Sequence, residues 1–340
     1  MIHELKEIIN QAFINQQKGL KNVLATVVHL EGSSYRKPGV RMLISENEKM
    51  TGAVSGGCVE KEILHRSKSV FKNAEAKIIT YDGRYKLGCE GVLYILIEPF
   101  FISELLHTTF RNAVLNRKSI NIEAVYSKNE EASVDFGSIL TFQNLDPFTF
   151  SKNVVRKPKK NLLSFQQKIK PAFNLLIIGA EHDAVKLCKI GSLLGWQIDL
   201  ITSLKDPKSI DDFPGANSVV ESDAEMIDFS KIDANTGILI MNHSYVQDLK
   251  YILKLIDKKP AYLGVLGAAK RRDKMFNELI ELNPSITEDF LDSIHTPAGL
   301  NLGAQTPEEI AISILAEILA TIKNKKPDSL KNITGHIHQN

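Results

Sequence analysis

Cysteine is scarce, tryptophan nearly absent and net charge close to nil, and each scarcity removes a class of function. Three cysteines are an odd number that cannot all pair. The chain is therefore no disulfide scaffold, and a reducing compartment with free thiols is expected. With 42 basic against 40 acidic residues, a formal charge of +2, no field exists to attract a nucleic acid or an anionic membrane surface. No apolar run reaches the roughly 18 residues of a membrane span, and Met1-Ile2-His3-Glu4-Leu5-Lys6-Glu7 has neither the apolar run nor the cleavage site of a signal peptide. A cytoplasmic protein is the expectation.

What is present is enough for two cores, since 340 residues at 43% hydrophobic content exceed one typical domain. The periodicity changes along the chain. In residues 1–150, Ile2, Leu5, Ile8, Ile9, Ala12 and Phe13 fall at helical spacing, strands are expected near 22–30, 40–45, 76–81 and 92–99, and helices over 59–72 and 102–116, with weaker strands near Ile120 and Ser138. That mixture predicts an α+β domain. Residues 151–171 carry Lys152, Arg156, Lys157, Lys159, Lys160, Lys168 and Lys170, two prolines and no acid, which reads as a basic linker. Over 172–325, apolar strands at 174–179, 197–202, 237–242 and 262–267 alternate with helices, the pattern of a doubly wound parallel sheet. Thr306, Pro307 and Glu309 spell the start of the last helix, and 326–340 is a polar tail.

Two cysteines stand in glycine settings. Cys58 follows Ser55-Gly56-Gly57 at the expected first turn of a helix, where unpaired N–H groups and the helix dipole favour thiolate, the form that attacks and that binds soft metals. Cys89 lies between Gly88 and Glu90-Gly91. The alternative is a pair of inert cysteines packed as small hydrophobes. Cys188, spaced for the inner face of a helix, reads as core.

In the second half, Gly179-Ala180-Glu181-His182 follows a first strand as a dinucleotide motif would, but Glu181 stands where the pyrophosphate needs glycine, and Leu200-Ile201-Thr202-Ser203 brings no acid for a ribose. NAD(P) is disfavoured on this reading. Gly179, His182, His243, Gly267 and Arg271 are expected at the carboxyl ends of the strands, where such sheets bind ligands. His182, His243 and His295 could share a metal or serve as unrelated hydrogen-bond partners, and Lys270-Arg271-Arg272 could meet an anion or form a solvated helix face.

Gly32-Ser33-Ser34-Tyr35-Arg36-Lys37-Pro38-Gly39, Ser55-Gly56-Gly57-Cys58-Val59-Glu60 and Gly88-Cys89-Glu90-Gly91 resemble the N-terminal domain of the XdhC/CoxI family, the maturation factors of molybdenum hydroxylases such as xanthine dehydrogenase. Tyr262-Leu263-Gly264-Val265-Leu266-Gly267-Ala268-Ala269-Lys270-Arg271-Arg272 and the stretch from His295-Thr296-Pro297-Ala298-Gly299 to Thr306-Pro307-Glu308-Glu309 look like that family's Rossmann-type domain. The resemblance implies a carrier that binds molybdenum cofactor, presents it for exchange of an oxo for a sulfido ligand with a cysteine desulfurase as sulfur donor, and delivers it to an apo-hydroxylase. Oligomeric state is left open, a homodimer included. On this reading Cys58 and Cys89 are the candidate molybdenum ligands, thiolates for a soft metal. Gly32, Ser33, Ser34, Arg36, Lys37 and Arg41, with the Ser55-Gly56-Gly57 turn, would supply donors and cations for the pterin phosphate. The competing reading is an NAD(P)-dependent oxidoreductase using residues 172–325.

Overall fold

The computed structural model of the chain describes residues 2–32, 37–55, 57–83, 91–151 and 162–332, with the Cys58 side chain excepted. Two compact units divide it, Met1–Pro171 and Ala172–Asn340.

The first unit opens with helix α1, Ile2–Gln17, whose Leu5, Ile8, Ile9 and Ala12 lie on one face and are buried. Then come β1 (Asn22–Glu31), β2 (Arg41–Ser45), β3 (Met50–Gly52), α2 (Cys58–Asn73), β4 (Ala76–Asp82), β5 (Val92–Pro99), α3 (Glu104–Leu115), β6 (Ile120–Tyr126), β7 (Ala132–Ser133), β8 (Gly137–Phe142), β9 (Phe148–Thr149) and β10 (Leu163–Ile169). One sheet runs β3-β2-β1-β5-β4-β7 and a second β10-β6-β8-β9; every pairing is antiparallel. β1 is buried along nearly its whole length because both its faces are covered. Val23, Ala25 and Val27 pack with Val59, Ile63 and Val70 of α2, while Leu24 packs with α1, α3 and the second sheet.

β10 occupies sequence expected to be linker. It pairs with β6 over seven positions, from Leu163↔Tyr126 to Ile169↔Ile120. Ser164, Gln166 and Lys168 face solvent and alternate with Phe165, Gln167 and Ile169, which do not. An edge strand with a solvent-facing lysine is how sheets avoid pairing with strangers, so the basic residues mark an edge here. The N-terminal unit thus extends to Pro171, and residues 152–161 of the expected linker lie outside the described residues.

The second unit is parallel throughout. Its strands are β11 (Asn174–Ile178), β12 (Gln197–Thr202), β13 (Ser218–Glu221), β14 (Thr236–Ile240), β15 (Tyr262–Val265) and β16 (Ile294–His295), joined by helices α4 (His182–Leu193), α5 (Tyr245–Leu255), α6 (Ala269–Leu282) and α7 (Glu288–Asp292), and followed by α8 (Pro307–Ile322). The order β13-β12-β11-β14-β15-β16 is, counted within the unit, 3-2-1-4-5-6, the doubly wound Rossmann order. Leu175, Ile177, Ile198 and Leu239 meet α4 and α8 on one face; Ile178, Ile201, Ile238 and Ile240 meet α5 and α6 on the other. The strand order reverses between β11 and β14, which run parallel, and such a switch point opens the crevice where ligands of doubly wound sheets lie. Thr306 caps α8, accepting from the Glu309 N–H, and Glu309 reaches back to the Thr306 N–H, the capping box expected from sequence. Among the described residues no helix is long and apolar enough to cross a membrane.

Candidate functional site

In the N-terminal unit the turn before α2 carries the expected thiol. Cys58 is the first residue of α2, and Gly57, its N-cap, has φ +122°, a conformation that L side chains rarely adopt. The turn is held by a carboxylate. Glu60, in the first turn and only 7% exposed, accepts from the Val54 N–H (3.2 Å) and the Ser55 N–H (2.6 Å) at Oε1 and from the Gly57 N–H (2.6 Å) at Oε2. Ser55 and Gly57 belong to the turn that the sequence suggests for a phosphate, and their N–H groups are already engaged. A glutamate three positions past the N-cap is the signal that could have revealed it.

Arg41 also differs from expectation. It lies on β2, 8% exposed, and turns inward, its Nη1 donating to the Gly39 carbonyl (2.8 Å) and to Gln167 Oε1 (2.6 Å). Burial lowers its pKa to about 10 even with Glu98 and Glu4 nearby. A cation at that depth braces a loop from behind. A Cβ at Gly39 would stand 2.2 Å from Gln167 Nε2, so β10 presses directly on the end of the Gly32–Gly39 loop. Lys37 is exposed on that loop and Gly32 has φ +82°. Ser33, Ser34, Arg36, Gly56 and Cys89 lie outside the described residues.

In the C-terminal unit the expected residues stand at the carboxyl ends of the strands but divide into three groups. Gly179 (φ +123°) closes β11, and a Cβ there would lie 2.7 Å from the Met241 carbonyl, so the loops after β11 and β14 meet at van der Waals distance. Across this switch point His243 Nε2 faces Glu181 Oε2 at 3.1 Å, while His182 begins α4. The second group is structural. Asp248, fully buried, accepts from Asn242 Nδ2 (2.9 Å) and from Arg271 Nη2, and burial pushes its carboxyl up despite those bonds. Arg271 also reaches the Leu266 carbonyl (3.2 Å) and lies over the Tyr245 ring; Gly267 (φ +153°) leaves room for its side chain. Arg271 is therefore a strut between α5, α6 and the β15 loop, with its charge matched internally. The third group is His295 with Glu317 of α8, Nδ1 to Oε1 3.3 Å. Sequence reasoning missed Glu317, although a single acid inside Ile314-Leu315-Ala316-Glu317-Ile318-Leu319 was a legible signal. No group of three or more His, Cys, Asp and Glu side chains is arranged to hold a metal among the described residues; His243 and His295 face different carboxylates, Glu181 and Glu317.

Comparison with known proteins agrees with this fold. The model of the XdhC Rossmann domain matches residues 175–318, and that of the XdhC and CoxI family matches residues 16–82. A Bacillus subtilis protein named as a probable xanthine dehydrogenase subunit is 27% identical over 318 residues, covering 88% of this chain and 93% of the relative. The Escherichia coli molybdenum cofactor insertion chaperone PaoD is 23% identical over 312 residues, 90% of this chain and 85% of the relative. Among solved structures, one described as a xanthine dehydrogenase from Bacillus halodurans superposes with a TM-score of 0.74 at 25% identity, over 94% of this chain and 96% of its own.

Proposed function

The chain belongs to the XdhC and CoxI family, and from that premise we propose that it is a maturation factor that carries molybdenum cofactor to a xanthine dehydrogenase-type hydroxylase. The observation that carries this reading is the placement of Cys58 as the first residue of α2 behind a positive-φ glycine. There the helix dipole favours thiolate, and thiolate is a natural protein donor to a soft metal such as molybdenum. The cargo would be held through Cys58, with Cys89 as second thiol, while an oxo ligand is exchanged for sulfido with sulfur from a cysteine desulfurase, in the cytoplasm. Its phosphate would be met by the exposed Lys37 and by the loop that Arg41 and Gln167 brace from behind.

The strand order of the second unit is what would favour an NAD(P)-dependent oxidoreductase. Glu181 opposes it. A carboxylate at the crevice, already facing His243 across the switch point, repels a pyrophosphate and stands where one would lie. On this reading calorimetry with NAD(H) or NADP(H) gives no saturable micromolar isotherm.

The test is Cys58→Ser in the full chain, co-expressed with a xanthine dehydrogenase-type client. Bound molybdenum, measured by plasma mass spectrometry, and client activity should fall together while the melting temperature holds; Cys188→Ser should spare both. A Cys58→Ser protein that retained molybdenum and still activated its client would refute the assignment.

A further inference from the structure

Behind His295, at the carboxyl end of β16, two side chains and one backbone group are fitted around an imidazole that uses only one of its nitrogens. Its Nδ1 faces Glu317 Oε1 at 3.3 Å. A carboxylate only accepts, so Nδ1 carries the proton and Nε2 of the neutral ring presents a lone pair. The other oxygen of Glu317 accepts from the Tyr262 hydroxyl (2.6 Å) and from the Gly299 N–H (2.8 Å). Burial alone would raise the Glu317 pKa, but the hydrogen bonds from His295, Tyr262 and Gly299 overcome it and hold the carboxyl below its usual range. The imidazole is also clamped flat. Its ring stacks on that of Tyr262, centroids 4.5 Å apart, and Tyr262 can lie there because position 264 is glycine, where a Cβ would come within 2.6 Å of the phenol ring. His295 is 32% exposed, and among the described residues its Nε2 has no protein partner.

We propose that His295 is a proton-transfer residue of a second site, in the C-terminal unit, oriented by Glu317 and serving a neutral ligand that carries an ionisable N–H, O–H or S–H. The step balances simply. The ligand's X–H bond breaks, its proton binds Nε2, and the electron pair stays on X; the imidazolium so formed has both nitrogens protonated and lies against the Glu317 carboxylate, which stabilises it. A neutral ligand fits because the Glu317 carboxylate stands directly behind the ring and would repel an incoming anion. No third donor groups with His295 and Glu317 among the described residues, so the pair reads as a base and its positioning residue, Glu317.

Diethyl pyrocarbonate acylates unprotonated imidazole nitrogen, and peptide mass spectrometry of the full chain gives a rate for each histidine. If Nε2 is a free, oriented base, His295 should react at least as fast as the exposed His182 despite being two-thirds covered. Glu317→Gln should slow His295 on the order of tenfold, as loss of an orienting partner does, and leave His182 unchanged. Tyr262→Phe, which keeps the stacked ring and removes one bond to Glu317, should give a smaller loss. A purely packing histidine would react more slowly than His182 in the wild-type protein, and that result alone, which needs no variant to fold, would overturn the proposal, as would a His295 rate indifferent to Glu317→Gln.

Discussion

Replacing Glu60 by glutamine exchanges one oxygen for an amide nitrogen in the side chain that gathers the turn before α2, and the three contacts set the size of the effect. Oε1 can still accept from Ser55 and Val54, but the new NH2 would confront the Gly57 N–H where Oε2 now accepts at 2.6 Å. One charge-assisted bond is lost outright, about 2 kcal/mol. The two that survive become neutral and weaker, roughly 0.5 kcal/mol each, giving a total near 3 kcal/mol. For a unit of this size each kcal/mol moves the melting temperature by about 2–4 °C, so calorimetry of the full chain should place the first unit's transition roughly 6–12 °C lower. Removing the carboxylate also takes a negative charge from beside the helix start, so iodoacetamide should alkylate Cys58 faster. A transition within about 2 °C of wild type, with an unchanged alkylation rate, would refute the claim that Glu60 holds this turn.

Three further outcomes follow from buried groups and from the chain division. Burial pushes the Glu98 carboxyl up to about 7, against the hydrogen bonds from Ser138 and the charge of Arg41; since the folded state then holds a proton that the unfolded chain releases near pH 4.5, the contribution of Glu98 to stability should be full below that pH and be lost as pH rises through 7. Melting curves of Glu98→Gln should lack that decline, and an identical pH profile in the variant would exclude Glu98 as its source. The fragment 1–171 should melt cooperatively, whereas 1–150, which leaves β6 without its seven-residue partner β10, should be aggregation-prone or molten by circular dichroism; two equally stable fragments would return β10 to the status of linker. Burial pushes the Cys188 thiol up to about 12, so in native protein at pH 7.5 its alkylation should lag far behind that of Cys58, and comparable rates would count against both assignments.

The element order is largely legible because strong local signals coincide with it: the alternation over 172–325, the capping box at Thr306 and Glu309, and the glycines before Cys58. The misreadings share a physical cause. β10 is hidden because an edge strand shows solvent half its residues, and its lysines then look like a linker's. Arg41 reads as a phosphate partner because sequence does not reveal that its strand is covered on both faces. Arg271 reads as anion-binding or solvated because Asp248, which matches its charge, sits 23 positions away. β13 and β16, with four and two residues, are too short for periodicity to register. Glu60 and Glu317 escape notice for opposite reasons, one concealed beside a conspicuous cysteine and the other inside an apolar helix.

The way Glu60 fills the start of α2 bears on release as much as on capture. A helix N-terminus with open N–H groups grips an anion tightly, and tight complexes persist because they dissociate slowly. Here the chain's own carboxylate already saturates the N–H groups of Val54, Ser55 and Gly57, so on the proposed reading a visitor would gain little from them and would be retained by the thiol and the flanking loop. For the carrier proposed above that would be an advantage: a short residence time would let an acceptor with deeper contacts take the cargo, while the turn stays closed on its own side chain throughout.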